Sequence, residues 1–132
     1  MNCPECGADT LAFPLPEDLA AHFPDDRPGA AVCTTCLHVT PVDDPPADQP
    51  DFATELCDAL PRDPGHALTV VCLLALLDSI ALHRDAIDAL AARAEAEGTD
   101  VMLVLDRLGR DGDVRPHFDL EKRSHQLEQL LR

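Results

Sequence analysis

Four of the six cysteines in this chain form two pairs, Cys3-Pro4-Glu5-Cys6 and Cys33-Thr34-Thr35-Cys36, each with two residues between the sulfurs. That spacing folds into a tight turn aiming both sulfurs at one point, and two such turns supply four soft donors at the corners of a tetrahedron. Zn²⁺ has no geometric preference of its own, suits thiolates, and closes such a set at ~2.3 Å per sulfur. Pro4 stiffens the first turn, and Gly7 just beyond it can take the positive φ that points backbone amides at the sulfurs. Those amides offset the double negative charge of a zinc centre with four thiolates. In the second turn Leu37 stands where glycine is the easier residue. The candidate metal ligands are therefore Cys3, Cys6, Cys33 and Cys36, around one structural Zn²⁺.

Neighbouring residues invite other readings. His38 can replace Cys36 as a ligand, although a histidine two residues past such a turn more often supports the site or faces solvent. Cys-Pro-x-Cys-Gly resembles a rubredoxin knuckle, which implies iron and electron transfer. Rubredoxin-like centres are wrapped in aromatics, and here Phe13, Phe23, Phe52 and Phe118 are the full set, with no Trp or Tyr. Four sulfurs leave no open coordination position for an exchangeable water, so metal-assisted hydrolysis is not expected.

Cys57 and Cys72 lie on apolar helix faces, where a free thiol behaves as a small hydrophobe. His66, His83, His117 and His125 are scattered singly and read as surface or capping residues. Asp111-Gly112-Asp113 lacks the ligand series of a calcium loop. No phosphate-binding glycine loop, nucleophile elbow or catalytic triad motif is visible, and the chain is read as non-enzymatic.

The elements that position the cysteines are short. Thr10–Phe13, Ala30–Val32 and Leu37–Thr40 read as three strands of a zinc ribbon. The 26 residues between Cys6 and Cys33 exceed the ~15 to 20 usual between such pairs, and Leu15 to Pro24 reads as an inserted helical turn. After residue 42 the proline-rich stretch 43–50 loses hydrophobic periodicity and is expected to be an extended linker.

From Asp51 the spacing becomes helical. Phe52, Ala53, Leu56, Cys57 and Leu60 mark a first helix stopped by Pro61. Asp63 caps a second, with Pro64 in its first turn, that runs to about His83 as the central, apolar helix. A third covers Asp85–Glu97, with Gly98 as its left-handed stop. A fourth carries Val101, Val104, Leu105 and Leu108 until Gly109 and Gly112 break it. A fifth begins near Pro116 and carries Leu120, Leu127, Leu130 and Leu131. The fold class is α+β: a ribbon over residues 1–42, a linker over 43–50 and an all-α bundle of about five helices over 51–132.

Charge narrows the partners. The chain of 132 residues holds 25 acidic and 10 basic side chains, a formal net charge of −15, and Lys122 is its one lysine. In residues 1–42, six carboxylates (Glu5, Asp9, Glu17, Asp18, Asp25 and Asp26) face the single cation Arg27. Phosphate binding needs clustered cations, so direct nucleic-acid binding is not expected. Met1-Asn2-Cys3 offers no basic or apolar leader, and the longest apolar run, Ala67 to Leu77, is far short of the ~20 residues that span a bilayer. A reducing cytoplasm, where paired cysteines hold metal, is the expected compartment.

Taken together, Asn2-Cys3-Pro4-Glu5-Cys6-Gly7-Ala8-Asp9-Thr10, the stretch Pro28 to Cys36 and Pro116-His117-Phe118-Asp119-Leu120 resemble a family of small haloarchaeal zinc-ribbon proteins of unknown function. The resemblance implies a metal-bearing head and a salt-loving source, and brings no activity. The leading functional reading is an interaction or adaptor protein with a protein partner, with Leu127, Leu130 and Leu131 on the last helix offering a homodimer contact. The alternatives are a transcription- or RNA-associated ribbon and a rubredoxin-like iron carrier.

The charge makes one prediction. Screening shortens to ~3 Å at 1 M salt and relieves self-repulsion. The melting temperature should therefore rise between about 0.2 M and about 3 M KCl; a flat or falling series would remove the salt-adapted reading.

Overall fold

A computed structural model describes residues 2–23 and 27–131. Three antiparallel strands, β1 (Thr10–Pro14), β2 (Gly29–Cys33) and β3 (Val39–Val42), form a sheet in the order β1-β2-β3. Thr10 pairs with Cys33 and Pro14 with Gly29, while Val32 pairs with Val39 and Gly29 with Val42. All five residues of central β2 are buried, which suits its small side chains. β3 begins two residues later than the spacing suggests, because Leu37 is part of the turn that carries Cys36: its amide returns to the Cys33 carbonyl at 3.2 Å.

The insertion supplies α1 (Glu17–Ala20), whose Leu19 and Ala20 are buried. Pro24, the end of the expected helical turn, lies outside the described residues, as do Asp25 and Asp26. Residues 43–50 hold no helix or strand, yet they lie on the sheet. The Gln49 side chain donates to the Pro14 carbonyl at 2.8 Å. A Cβ on Gly29 would stand 2.4 Å from Pro45 Cβ and 2.8 Å from the Phe13 carbonyl oxygen. Only glycine lets the linker approach β2 this closely.

Five helices follow: α2 (Phe52–Glu55), α3 (Pro64–Leu77), α4 (Arg84–Ala96), α5 (Val101–Arg110) and α6 (Leu120–Leu130). Asp51, Asp63, Asp100 and Asp119 cap α2, α3, α5 and α6, each accepting a backbone amide of the first turn. Two boundaries depart from the periodicity. α6 starts at Leu120 rather than near Pro116 because Asp119 receives the Lys122 amide. α2 stops at Glu55, since Cys57 returns to the Phe52 carbonyl and Leu60 to the Cys57 carbonyl in a following turn that still buries Cys57 and Leu60. α3 ends at Leu77, with turns reaching His83, and α5 runs through Gly109 instead of breaking there.

Ten residues of α3, from Ala67 to Leu77, are buried, so it is the central helix. Thr69 is buried among them with its hydroxyl donating to the Gly65 carbonyl at 3.3 Å. Of the C-terminal leucines, Leu127 is fully buried, Leu130 packs partly against the core and Leu131 remains 37% exposed. No helix among the described residues is long and apolar enough to cross a membrane.

Sheet and helices bury their apolar side chains in one cluster that runs from Phe13, Leu19 and Val32 through Phe52 to Leu73, Leu90 and Leu127. Phe13 on β1 and Phe52 on α2 meet edge to face with ring centroids 5.4 Å apart. At the surface, Arg93 of α4 pairs with Asp18 of α1, and that guanidinium holds the Asp18 carboxyl below its ordinary range. Because the pair is largely exposed, it contributes little energy compared with the shared core. Phe13→Ala should therefore cost about 3–5 kcal/mol and lower the unfolding midpoint of the helical signal as well as of the ribbon. Urea titration followed by far-ultraviolet dichroism checks this; an unchanged helical midpoint would show that the two parts are energetically separate.

Candidate metal centre

The two cysteine turns share one set of backbone bonds. In the first, Gly7 N–H donates to the Cys3 carbonyl at 2.9 Å and Cys3 N–H to the Ala8 carbonyl at 2.7 Å. In the second, Leu37 N–H donates to the Cys33 carbonyl at 3.2 Å and Cys33 N–H to the His38 carbonyl at 2.9 Å. Amides also point at the leading sulfur of each pair: Glu5 N–H lies 3.4 Å from Cys3 Sγ, while Thr35 and Cys36 N–H lie 3.4 and 3.3 Å from Cys33 Sγ. The residue after each pair has positive φ, 80° at Gly7 and 67° at Leu37. Thr34 joins the turns by donating both its amide and its hydroxyl to the Asp9 carbonyl, each at 3.0 Å.

The geometry brings together all four cysteines named from the sequence. Cys3 Sγ lies 3.6 Å from Cys36 Sγ and Cys6 Sγ 3.4 Å from Cys33 Sγ, and all four sulfurs fall within 4.8 Å of one another. Four sulfurs at ~2.3 Å from a common centre would be ~3.8 Å apart, so the cluster fits a tetrahedral ion. The spacing far exceeds the ~2.05 Å of a disulfide. Cys3, Cys33 and Cys36 are buried and Cys6 is exposed.

The sulfurs differ in acidity. Burial opposes ionisation of Cys3, but the amides of Cys6 and Glu5 and the Cys36 and Cys33 thiols outweigh it and bring Cys3 to about 7. Burial pushes the Cys36 thiol up. At Cys6 the Ala8 amide favours the thiolate, but Cys33 and burial prevail and raise it. Metal binding must therefore expel protons from Cys6 and Cys36, so affinity falls with acid.

His38 stands outside this cluster; its ring meets that of His117 edge to face at 5.1 Å, and His117 meets Phe118 at 5.0 Å. The sequence alone reads His117 as a lone surface or capping residue. In the structure the His117 N–H donates to the Cys36 carbonyl at 2.9 Å and the Arg115 N–H to the Thr35 carbonyl at 2.7 Å. No sequence signal marks these residues, because both contacts use backbone amides.

A second convergence was also hidden. Cys57, Asp58 and Asp111 bring three donor atoms within 4.8 Å of one another. Cys57 Sγ–H donates to Asp111 Oδ2 at 3.2 Å, and burial, reinforced by Asp111, pushes the Cys57 thiol up to about 11. Arg107 and Arg110 line the same depression and oppose a cation there. The arrangement is a hydrogen bond that ties the turn after α2 to the end of α5.

A family model described as Family of unknown function (DUF6276) matches residues 2–131. The chain belongs to that family. The match agrees with the sequence resemblance in spanning most of the chain and in carrying no activity. No curated protein and no solved structure matches the chain.

Leu37 offers a test of how the second turn is held. A left-handed residue with a Cβ costs ~1–2 kcal/mol, whereas burying a leucine, as Leu37 is buried with 0% exposure, stabilises by more. Leu37→Ala keeps the strain and loses the packing, and should cost about 2–5 kcal/mol. Leu37→Gly loses the same packing but relieves the strain, and should be less damaging by ~1 kcal/mol. Denaturant titrations of the two variants under the same conditions compare them; an alanine variant as stable as the glycine variant would show that no strain is stored at this position.

Proposed function

We propose that this protein is a non-enzymatic zinc protein in which one structural Zn²⁺, held by Cys3, Cys6, Cys33 and Cys36, shapes an N-terminal ribbon, and in which the helical part contacts a protein partner. The observation that carries the reading is the approach of four sulfurs to within 4.8 Å of one another on two matched turns. Zinc at such a site supplies folding free energy rather than reactivity, because four sulfurs complete its coordination. The chain's own share is to hold three of those sulfurs away from water and to direct amides at Cys3 and Cys33.

Zinc is favoured over iron by the surroundings: the buried sulfurs pack with Ala8, and no phenylalanine belongs to their cluster. For the partner, the acidic balance argues against nucleic acid, and Leu82 and Leu103 leave apolar side chains 81% and 44% exposed. The paired cysteines, which hold metal where thiols stay reduced, and the net charge of −15 support a reducing, salt-loaded cytoplasm as the setting.

Elemental analysis of protein purified without added metal should find about one zinc per chain, and the double variant Cys33→Ser/Cys36→Ser should hold none. Iron in place of zinc, or metal retained by the double variant, would overturn the reading.

A further inference from the structure

The segment between α5 and α6 grips one of the two cysteine turns. Arg115 and His117, alternate residues of this segment, donate their amides to successive carbonyls, Thr35 at 2.7 Å and Cys36 at 2.9 Å. Val114 is buried beside this clasp, and the His117 ring rests against His38. The accepting carbonyls belong to the turn that carries Cys33 and Cys36, and the left-handed Leu37 that closes it is a conformation that persists only where its surroundings hold it. Leu37 is anchored by its side chain in the core. Relaxation of the turn therefore falls on the Thr34 to Cys36 peptides, whose carbonyls the clasp uses.

We propose that the four-cysteine centre is a latch for the C-terminal segment that ends in α6: metal in the centre holds the Thr35 and Cys36 carbonyls in register with Arg115 and His117, and metal loss releases residues 111–131 from the ribbon. This rests on the zinc reading above. α3 and α4 pack on each other, their Val70, Leu73, Leu77, Ile87 and Leu90 lie in the shared core, and neither helix takes part in the clasp. α6 is held on the bundle by two buried leucines, Leu120 and Leu127, with Leu130 packed partly against the core, a small apolar contact for a helix whose entry is no longer fixed. Its departure uncovers the α5 face that carries Leu105, so a binding partner can sense whether the metal is present. Coupling of this kind is reciprocal, and cutting the clasp must weaken retention of the metal.

Hydrogen exchange on the full chain, zinc-loaded and after chelation under reducing conditions at constant salt, tests the latch. Amides of residues 111–131 should exchange at least about tenfold faster without zinc, while those of residues 66–77 keep their protection. Equal protection of 111–131 in both states overturns the proposal, and so does equal loss in α3, which would mean that the whole chain unfolds together. A second arm compares Arg115→Pro, which removes the donor, with Arg115→Ala, which keeps it. Transfer of zinc to a chromogenic chelator should be about three- to tenfold faster from the proline variant, the worth of one backbone hydrogen bond; equal rates count against the latch. The chelation arm needs no substitution and decides the matter if Arg115→Pro does not fold. A chain that binds no zinc sinks the functional reading, whereas zinc bound without any effect on residues 111–131 sinks the latch alone.

Discussion

Four sulfur atoms brought to within 4.8 Å of one another constrain everything around them, because the ends of two distant turns must then share one small volume. The antiparallel register meets this requirement. Thr10, three residues past Gly7, pairs with Cys33, so the strand leaving the first turn lies alongside the strand entering the second. Thr34 then locks the turns together through the Asp9 carbonyl. The two turns repeat the same pair of backbone hydrogen bonds, and their four sulfurs converge on one volume.

The two halves of the centre are nevertheless unequal in their surroundings. Cys6 is exposed, while Cys33 and Cys36 are buried and Leu37 is sunk in the main core. A leucine at φ 67° is tolerated because burying its side chain offsets a strain of ~1–2 kcal/mol. The same side chain welds the turn that carries Cys33 and Cys36 to the hydrophobic cluster that Phe13 and Phe52 carry from the sheet to the helices. The ribbon is thus tied to the bundle through packing, through the linker lying over Gly29 and through the backbone clasp at Arg115 and His117.

Electrostatics acts in opposite directions at two scales. Globally the net charge of −15 repels itself. Locally, Asp51, Asp63, Asp100 and Asp119 place carboxylates on free amides at helix N-termini, where the helix dipole also favours negative charge. Part of the acidic composition therefore stabilises the helices directly, and the remainder is solvated surface whose repulsion salt can screen.

The features legible from sequence were those encoded by local chemistry. Pairs of cysteines two residues apart, a glycine after the first pair, Asp63 before a helical run and the largely apolar stretch after Ala67 each act within a few residues, so spacing alone revealed the four cysteines that cluster, four of the helix starts and the α+β class. Strand and helix ends were less legible: β3 starts late because Leu37 serves the turn, and α2 stops early because its chain folds back on Cys57. The clasp on the second turn and the Cys57–Asp111 contact join residues about 80 and 54 positions apart. They use backbone amides or a single thiol, groups every chain supplies, so only the tertiary fold decides which of them meet.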